Sequence, residues 1–256
     1  MSNQPLVSVV IPAYNAAKTI AQTIQSILIQ DVPLEILVID DGSKDNLLEV
    51  LDQFGDKVQY HKNERNSGVA KSRNNGVALA KGRYIAFLDA DDWWEGNKLK
   101  RQIEHLESSN AVMSSTAREL VDEFGHSLNR IIPVPGVITY EGLLRTNSIN
   151  CSSVVVRRDV ILNYPMEKDD LHEDYLTWLR ILKDGHNVVG LNEPLLKYRY
   201  TVTSKSGNKF KSAKMHYNVY RELGIHPLKS MFYFFHYAFS GLKKYIGLKG
   251  DQNEKN

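Results

Sequence analysis

The stretch Gly82-Arg83-Tyr84-Ile85-Ala86-Phe87-Leu88-Asp89-Ala90-Asp91-Asp92 leaves a turn residue, runs through five apolar side chains and stops in three carboxylates. Five residues with no polar interruption fit a strand buried on both faces. The same design occurs twice upstream: Leu6 to Ile11 leads into Pro12-Ala13-Tyr14-Asn15, and Glu35 to Ile39 leads into Asp40-Asp41-Gly42-Ser43. Helical periods lie between these runs. Ile20, Ile24, Ile27 and Leu28 form the first, and Leu47, Leu48 and Leu51 the second, with Ser43 or Asp45 placed to cap it. A third opens at Asn66-Ser67-Gly68, carries Ala70, Val77 and Leu79, and closes at Gly82, while Val58 to His61 adds a weaker strand. Strands alternating with helices predict an α/β fold with a mainly parallel sheet, right-handed crossovers and helices on both faces.

Beyond residue 96 the alternation decays. The pattern predicts a helix over 97–108, a strand over 111–116, a hairpin or loop over 122–137, a strand over 151–156, and amphipathic helices over 173–183 and 209–223.

Composition narrows the classes. With 256 residues, 42% apolar and 24% charged, the chain is neither disordered nor a multi-span membrane protein, and it is long enough to bury a core without staples. Cys151 is the only cysteine, which excludes an intramolecular disulfide and a cysteine-built zinc or iron–sulfur site. The net charge of +2 divides unevenly: residues 197–256 carry 12 Lys and Arg against 3 Asp and Glu, and residues 1–196 carry 20 against 27. An acidic body with a basic tail argues against nucleic acid and for a local anionic contact such as a membrane surface. Met1 to Pro5 shows no secretory pattern, so Asn150-Cys151-Ser152 reads as a chance sequon.

The three polar clusters stand at the carboxyl ends of predicted parallel strands, the edge where open α/β sheets bind ligands. Each alone reads as a turn or a cap; together they read as a site. Three carboxylates crowded behind an apolar strand repel one another unless a cation sits among them, and a hard divalent ion sharing its shell with phosphates meets that need. Tyr14 then stands ready to stack on a base, Asp40 to accept from a pyrimidine imide N–H, and Arg73 to approach phosphates or base. No G-x-G-x-x-G follows the first strand and no P-loop occurs, which disfavours a dinucleotide oxidoreductase and a P-loop NTPase. His172-Glu173 is followed by Leu176 at the fourth place after His172, so the zincin motif fails.

These residues resemble a family 2 glycosyltransferase of the GT-A fold. The resemblance is carried by Val7 to Asn15, Val38 to Asp45, Asn66-Ser67-Gly68, Ser72-Arg73-Asn74-Asn75-Gly76 and Gly82 to Asp92, in that family's order and spacing. It implies a GT-A-like domain over 1–204, with a nucleotide-sugar-binding half (1–115), an acceptor half (116–204) and a helical tail (205–256). It implies a UDP-sugar at Pro12, Ala13, Tyr14, Asn15, Asp40, Asp41, Asn66, Gly68, Arg73, Asp89, Ala90 and Asp91, with Mn²⁺ or Mg²⁺ at Asp91, Asp89 and Asp92. It further implies inversion by a single carboxylate base, matched by Asp174, with Glu173, Tyr175 and Trp178 at the acceptor and Arg199 reaching the pyrophosphate. Asp174 opens a predicted helix, where the dipole favours an ionised carboxylate. Glu-Asp-Tyr stands here where many relatives carry Arg-Asp-Trp or Gln-Asp-Trp.

The apolar centre of Ile225 to Leu248 is too short to span a bilayer, is rich in aromatics and is flanked by Lys229, Lys243 and Lys244. It suits a helix lying in a membrane interface, with packing on the domain or in a homodimer as the alternative. Processive synthases of the resembled family carry spanning helices and Q-x-x-R-W, both absent here. The expectation is a cytoplasmic enzyme, peripheral on the inner membrane face, that adds one sugar to a lipid-linked oligosaccharide in bacterial surface-polysaccharide synthesis. Rival readings are an inactive nucleotide-sugar binder or scaffold, and a sugar nucleotidyltransferase. The latter needs a glycine-rich basic loop that Leu6 to Asn15 does not supply.

Overall fold

The computed structural model describes residues 4–200 and 209–245. In chain order the elements are β1 (Val7–Ala13), α1 (Ile20–Leu28), β2 (Leu34–Asp40), α2 (Leu47–Asp52), β3 (Gln59–Lys62), α3 (Val69–Leu79), β4 (Tyr84–Phe87), β5 (Trp93–Trp94) and α4 (Lys98–Ser108). The second half adds β6 (Met113–Val121), β7 (Ser127–Ile132), β8 (Val137–Ile138), α5 (Tyr140–Arg145), β9 (Val155–Arg157), α6 (Arg158–Ile161), α7 (Glu173–Lys183), β10 (Val188–Arg199), α8 (Lys209–Glu222) and α9 (Pro227–Tyr245).

One sheet runs through both halves in the order β3-β2-β1-β4-β9-β6-β10-β5, with β7 beside β6 and β8 beside β10. β3, β2, β1 and β4 pair in parallel, as do β6 and β10. The alternation of side chains along each strand sorts the core into two layers. Val9, Ile11, Ile36, Val38 and Ala86 face α1, α2 and α4, while Val10, Leu37, Ile39, Ile85 and Phe87 face α3, α5 and α7. This doubly covered sheet is the architecture that the apolar runs predict.

Four details depart from the sequence reading. Residues 151–153 form a short 3₁₀ turn, and β9 enters antiparallel between β4 and β6. β10, a stretch to which the sequence pattern assigns no element, is a twelve-residue strand that slips register around Pro194. A boundary at residue 115 falls inside β6. Ser43 and Asp45 do not cap α2: their side chains accept from the N–H groups of Asn15 and Ala17, because the parallel pairing of β1 and β2 brings the two following loops together.

α8 and α9 pack against the domain. Val219 and Tyr220 are fully buried, and the Tyr220 and Tyr233 hydroxyls donate to Leu144 O and to Glu141 on α5. Residues 246–256, the end of the expected tail, lie outside the described residues.

α3 lies close on the sheet because residue 76 has no side chain; a Cβ there would stand 2.4 Å from Val10 Cγ1. Glycine to alanine in an exposed helix gains about 1 kcal/mol. Here the overlap reverses the sign, and Gly76→Ala is expected to lower the unfolding free energy by about 1–2 kcal/mol in urea titrations. An unchanged or raised midpoint would contradict this packing.

Candidate active site

A cleft of about 560 Å³ opens at the carboxyl ends of β1 and β4. Pro12, Tyr14 and Asn15 line it from the β1 loop, Asp89, Ala90 and Asp91 from the turn after β4, and Glu173 and Asp174 from the start of α7. Cys151, His172 and Met215 complete stretches of its wall, so α8 contributes to the cleft. A smaller adjoining pocket of about 380 Å³ is lined by Tyr14, Ala13, Asp41, Asn66, Gly68 and Asp169, among others.

The cleft is organised by a buried cation. Arg73 on α3 is 4% exposed; its Nη2 donates to Asp89 Oδ1 at 2.7 Å and its Nη1 to Glu173 Oε1 at 2.9 Å. A guanidinium taken from water needs such partners, and its planar fork serves two carboxylates at once. The cation that the crowded carboxylates require is therefore, for Asp89, the chain's own arginine. Arg73 also lines the cleft, and its buried Nε has no hydrogen-bond partner among the described residues.

The turn 89–92 is gripped from behind. Thr19 Oγ1 donates to Ala90 O at 2.8 Å, Thr23 Oγ1 to Ala90 O and Asp92 O, and Ser152 Oγ accepts the Asp89 N–H. Asp92 does not line the cleft: it is buried, its Oδ1 accepts the Arg199 N–H at 2.9 Å, and burial together with Asp91 and Asp89 pushes its carboxyl well above the carboxylate range. Asp92 is thus turned toward the fold and away from the cleft. Arg199 likewise holds the turn, with Nε on Asp91 O, Nη1 on Glu123 O, Nη2 on Gln22 and its plane over Trp93 at 5.1 Å. It ties these loops together while lining the cleft.

Asp91 remains in the cleft. Its carboxyl is raised by burial first and by Asp89 second. Among the described residues no group of three or more His, Cys, Asp or Glu could hold a metal by itself. A small divalent ion is usually held by one or two carboxylates plus substrate phosphates, so Asp91, with Asp89 beside it, fits an ion that arrives with a diphosphate.

The other expected contacts divide between cleft and scaffold. Tyr14 is half exposed and lines both pockets, with a free face for a planar ligand. Asn15 laces its loop to the next: its Oδ1 accepts the Lys44 N–H and its own N–H donates to Ser43 Oγ. Asp40 is buried; burial pushes its carboxyl up, but hydrogen bonds from Ser43 and Tyr60 outweigh that and hold it low. Asp41 is committed to the N-terminus of α3, accepting from Ser67 N, Gly68 N and Asn63 Nδ2. Gly68 has φ of 90°, and a Cβ there would overlap the Asp169 carboxylate, whose Oδ1 takes the Ala70 N–H. Asp169 is thus a pocket residue that sequence reasoning misses, since a lone acid in an aperiodic loop gives no signal.

On α7 the acceptor assignments need correction. Tyr175 and Trp178 are fully buried, one donating its hydroxyl to Leu143 O and stacked on His216 at 4.5 Å, the other packed on Phe87. They share the helix face of Leu179 and Leu182 that meets the core. Glu173 is buried against Arg73. Asp174 alone of this group keeps a partly exposed place on the cleft, with Oδ1 accepting the Tyr175 N–H at 2.7 Å.

Removing Arg73 would strand two carboxylates. Arg73→Met is expected to cost about 3–5 kcal/mol of unfolding free energy, measured by denaturant titration. A cost below about 1 kcal/mol would show that the bridge is not buried as described.

Comparison with known proteins agrees with this geometry. Residues 8–163 match Glycosyl transferase family 2. A putative teichuronic acid biosynthesis glycosyltransferase, TuaG of Bacillus subtilis (strain 168), is 37% identical over 94% of this chain and 98% of its own length. The Escherichia coli UDP-Glc:alpha-D-GlcNAc-diphosphoundecaprenol beta-1,3-glucosyltransferase WfgD is 38% identical over 94% of this chain and 95% of its own. S. aureus TarS 1-349, crystallised with UDP-GlcNAc, superposes with a TM-score of 0.73 at 19% identity, covering 97% of this chain and 77% of that one. A Pyrobaculum calidifontis mannosyltransferase in complex with GDP-Man and Mn²⁺ gives 0.65 at 17% identity, over 86% and 64%. With its sheet, its cleft and these relatives in agreement, the chain belongs to glycosyl transferase family 2, with a GT-A-like fold.

Proposed function

We propose that this glycosyltransferase moves one sugar from a UDP-sugar to a lipid-linked oligosaccharide, with inversion, in the synthesis of a bacterial surface polysaccharide. The observation that carries the reading is one cleft with Tyr14 at one side, Asp91 on the turn after β4 and Asp174 on α7. The named acceptor of WfgD, a diphosphoundecaprenol-linked sugar, supports the acceptor class, and the UDP-GlcNAc bound by TarS supports the sugar donor.

Tyr14 stacks on the base in this reading, and Asp40, ionised and with lone pairs beyond those given to Ser43 and Tyr60, accepts the imide N–H. Asp91, with Asp89, would hold a Mn²⁺ or Mg²⁺ that arrives with the diphosphate. When bound, that ion neutralises the charge that gathers on the leaving diphosphate. Asp174 takes the proton of the acceptor hydroxyl as its oxygen bonds to the anomeric carbon; the bond from that carbon to the diphosphate oxygen breaks, and UDP leaves. One displacement from the opposite face inverts the centre and needs only one base.

Asp174→Asn keeps the shape of the side chain and removes the base. It is expected to lower kcat by roughly 10²–10⁴ with UDP-sugar affinity nearly intact, followed as UDP release with a panel of UDP-sugars and a diphosphate-lipid acceptor. Turnover at the wild-type rate would sink the assignment.

A further inference from the structure

We propose that Asn74 on α3 is a positioning residue for Asp174, because its side-chain amide pins the loop that leads into α7. This role rests on Asp174 being the base of the proposed reaction. Residues 162–172 run from α6 to α7, and Met166 lies eight residues before Asp174. Asn74 Nδ2 donates to Met166 O at 2.7 Å, and Asn74 Oδ1 accepts the Met166 N–H at 2.9 Å. One amide thus satisfies both backbone groups of a residue that belongs to neither helix nor strand. The Met166 side chain is itself buried in the core.

The pin belongs to a row. Ala70, Arg73 and Asn74 share one face of α3, and each holds the segment that enters α7. Ala70 N–H donates to Asp169 Oδ1 at 2.9 Å, Arg73 Nη1 donates to Glu173 Oε1 at 2.9 Å, and Asn74 makes its pair with Met166. The same helix is fastened to the loops after β4 and β2: Arg73 Nη2 donates to Asp89, and Asp41 accepts the Ser67 and Gly68 N–H groups just ahead of α3. α3 therefore acts as a gauge between the turn that presents Asp91 and the helix that presents Asp174.

Within the row, Asn74 is the member that fixes the loop backbone without entering either pocket. The Arg73–Glu173 bridge holds one side chain of the helix, whereas the Asn74 pair holds the main chain on its way there. Other ties of the loop lie at the surface: Glu167 pairs with Arg180 and Lys168 with Glu222, and exposed pairs of this kind constrain a loop weakly. Lys168 has φ of 64°, a left-handed conformation that a non-glycine residue keeps only where its surroundings impose it. A loop released at Met166 would let the first turn of α7 shift, and a misplacement of about 1 Å is enough to lower a rate by about 10²-fold.

The test combines amide exchange with kinetics on the full chain. In Asn74→Ala, hydrogen–deuterium exchange over residues 162–172 is expected to rise by about tenfold or more, with exchange over β1, β2 and β4 unchanged. UDP release is followed with the UDP-sugar and diphosphate-lipid acceptor that the wild type turns over best. Asn74→Ala should lower kcat by about 10- to 100-fold and leave the KM for the UDP-sugar within about twofold. Asn74→Asp keeps the side-chain volume and the bond from the Met166 N–H; it is expected to lose at least about threefold in kcat, and it serves if the alanine variant does not fold. Because Asn74 acts through Asp174, the double variant Asn74→Ala/Asp174→Asn should turn over within about threefold of Asp174→Asn alone. Unchanged exchange over 162–172, a wild-type kcat in Asn74→Ala, or losses that multiply in the double variant would overturn the proposal. Wild-type turnover by Asp174→Asn would instead defeat the base assignment, a failure that shows without any change at Asn74.

Discussion

A guanidinium buried to 4% exposure cannot stand unpaired, and the partners of Arg73 come from opposite sides of the cleft. Asp89 belongs to the turn after β4, Glu173 to the first turn of α7. Satisfying one charge thus fixes the distance between two segments that are 84 residues apart in the chain. The groups proposed to meet a substrate are near neighbours of those two partners: Asp91 lies two residues beyond Asp89, and Asp174 follows Glu173. The electrostatic requirement of the scaffold and the geometry of the chemistry are the same requirement.

Around that bridge, many of the polar residues at the sheet edge hold loops. Asp41 ties the start of α3, Asn15 and Ser43 lace the loops after β1 and β2, and Arg199 with Asp92, Thr19 and Thr23 clasps the turn that presents Asp91. Backbone groups at such an edge leave the ladder and must be satisfied by side chains. A site made of rigid turns is costly in polar residues, which is why so many cluster where so few face the cleft. Pre-organised placement is what a displacement reaction needs from its protein.

The same division explains what the sequence does and does not disclose. Runs such as Tyr84 to Leu88 specify strands, because an uninterrupted apolar stretch bounded by turn residues has few other homes. The ligand edge follows from their carboxyl ends. Individual roles do not follow. Asp91 and Asp92 are adjacent and chemically identical in sequence, yet one lines the cleft and the other is buried against Arg199 N. Tyr175 and Trp178 sit beside Asp174 in the chain, but the helical turn sends them into the core. β9 is too short to signal its antiparallel entry, and the slip of β10 at Pro194 breaks the alternation by which a strand is recognised.

In the proposed reaction Asp91 faces a nucleotide diphosphate through a divalent ion. Isothermal calorimetry of UDP with the wild type and Asp91→Ala, each with and without Mn²⁺, tests it most directly. Mn²⁺ is expected to strengthen wild-type binding and to leave the affinity of the variant unchanged. Tight UDP binding that is indifferent to Mn²⁺ in the wild type, or a Mn²⁺ effect that survives in Asp91→Ala, would contradict it.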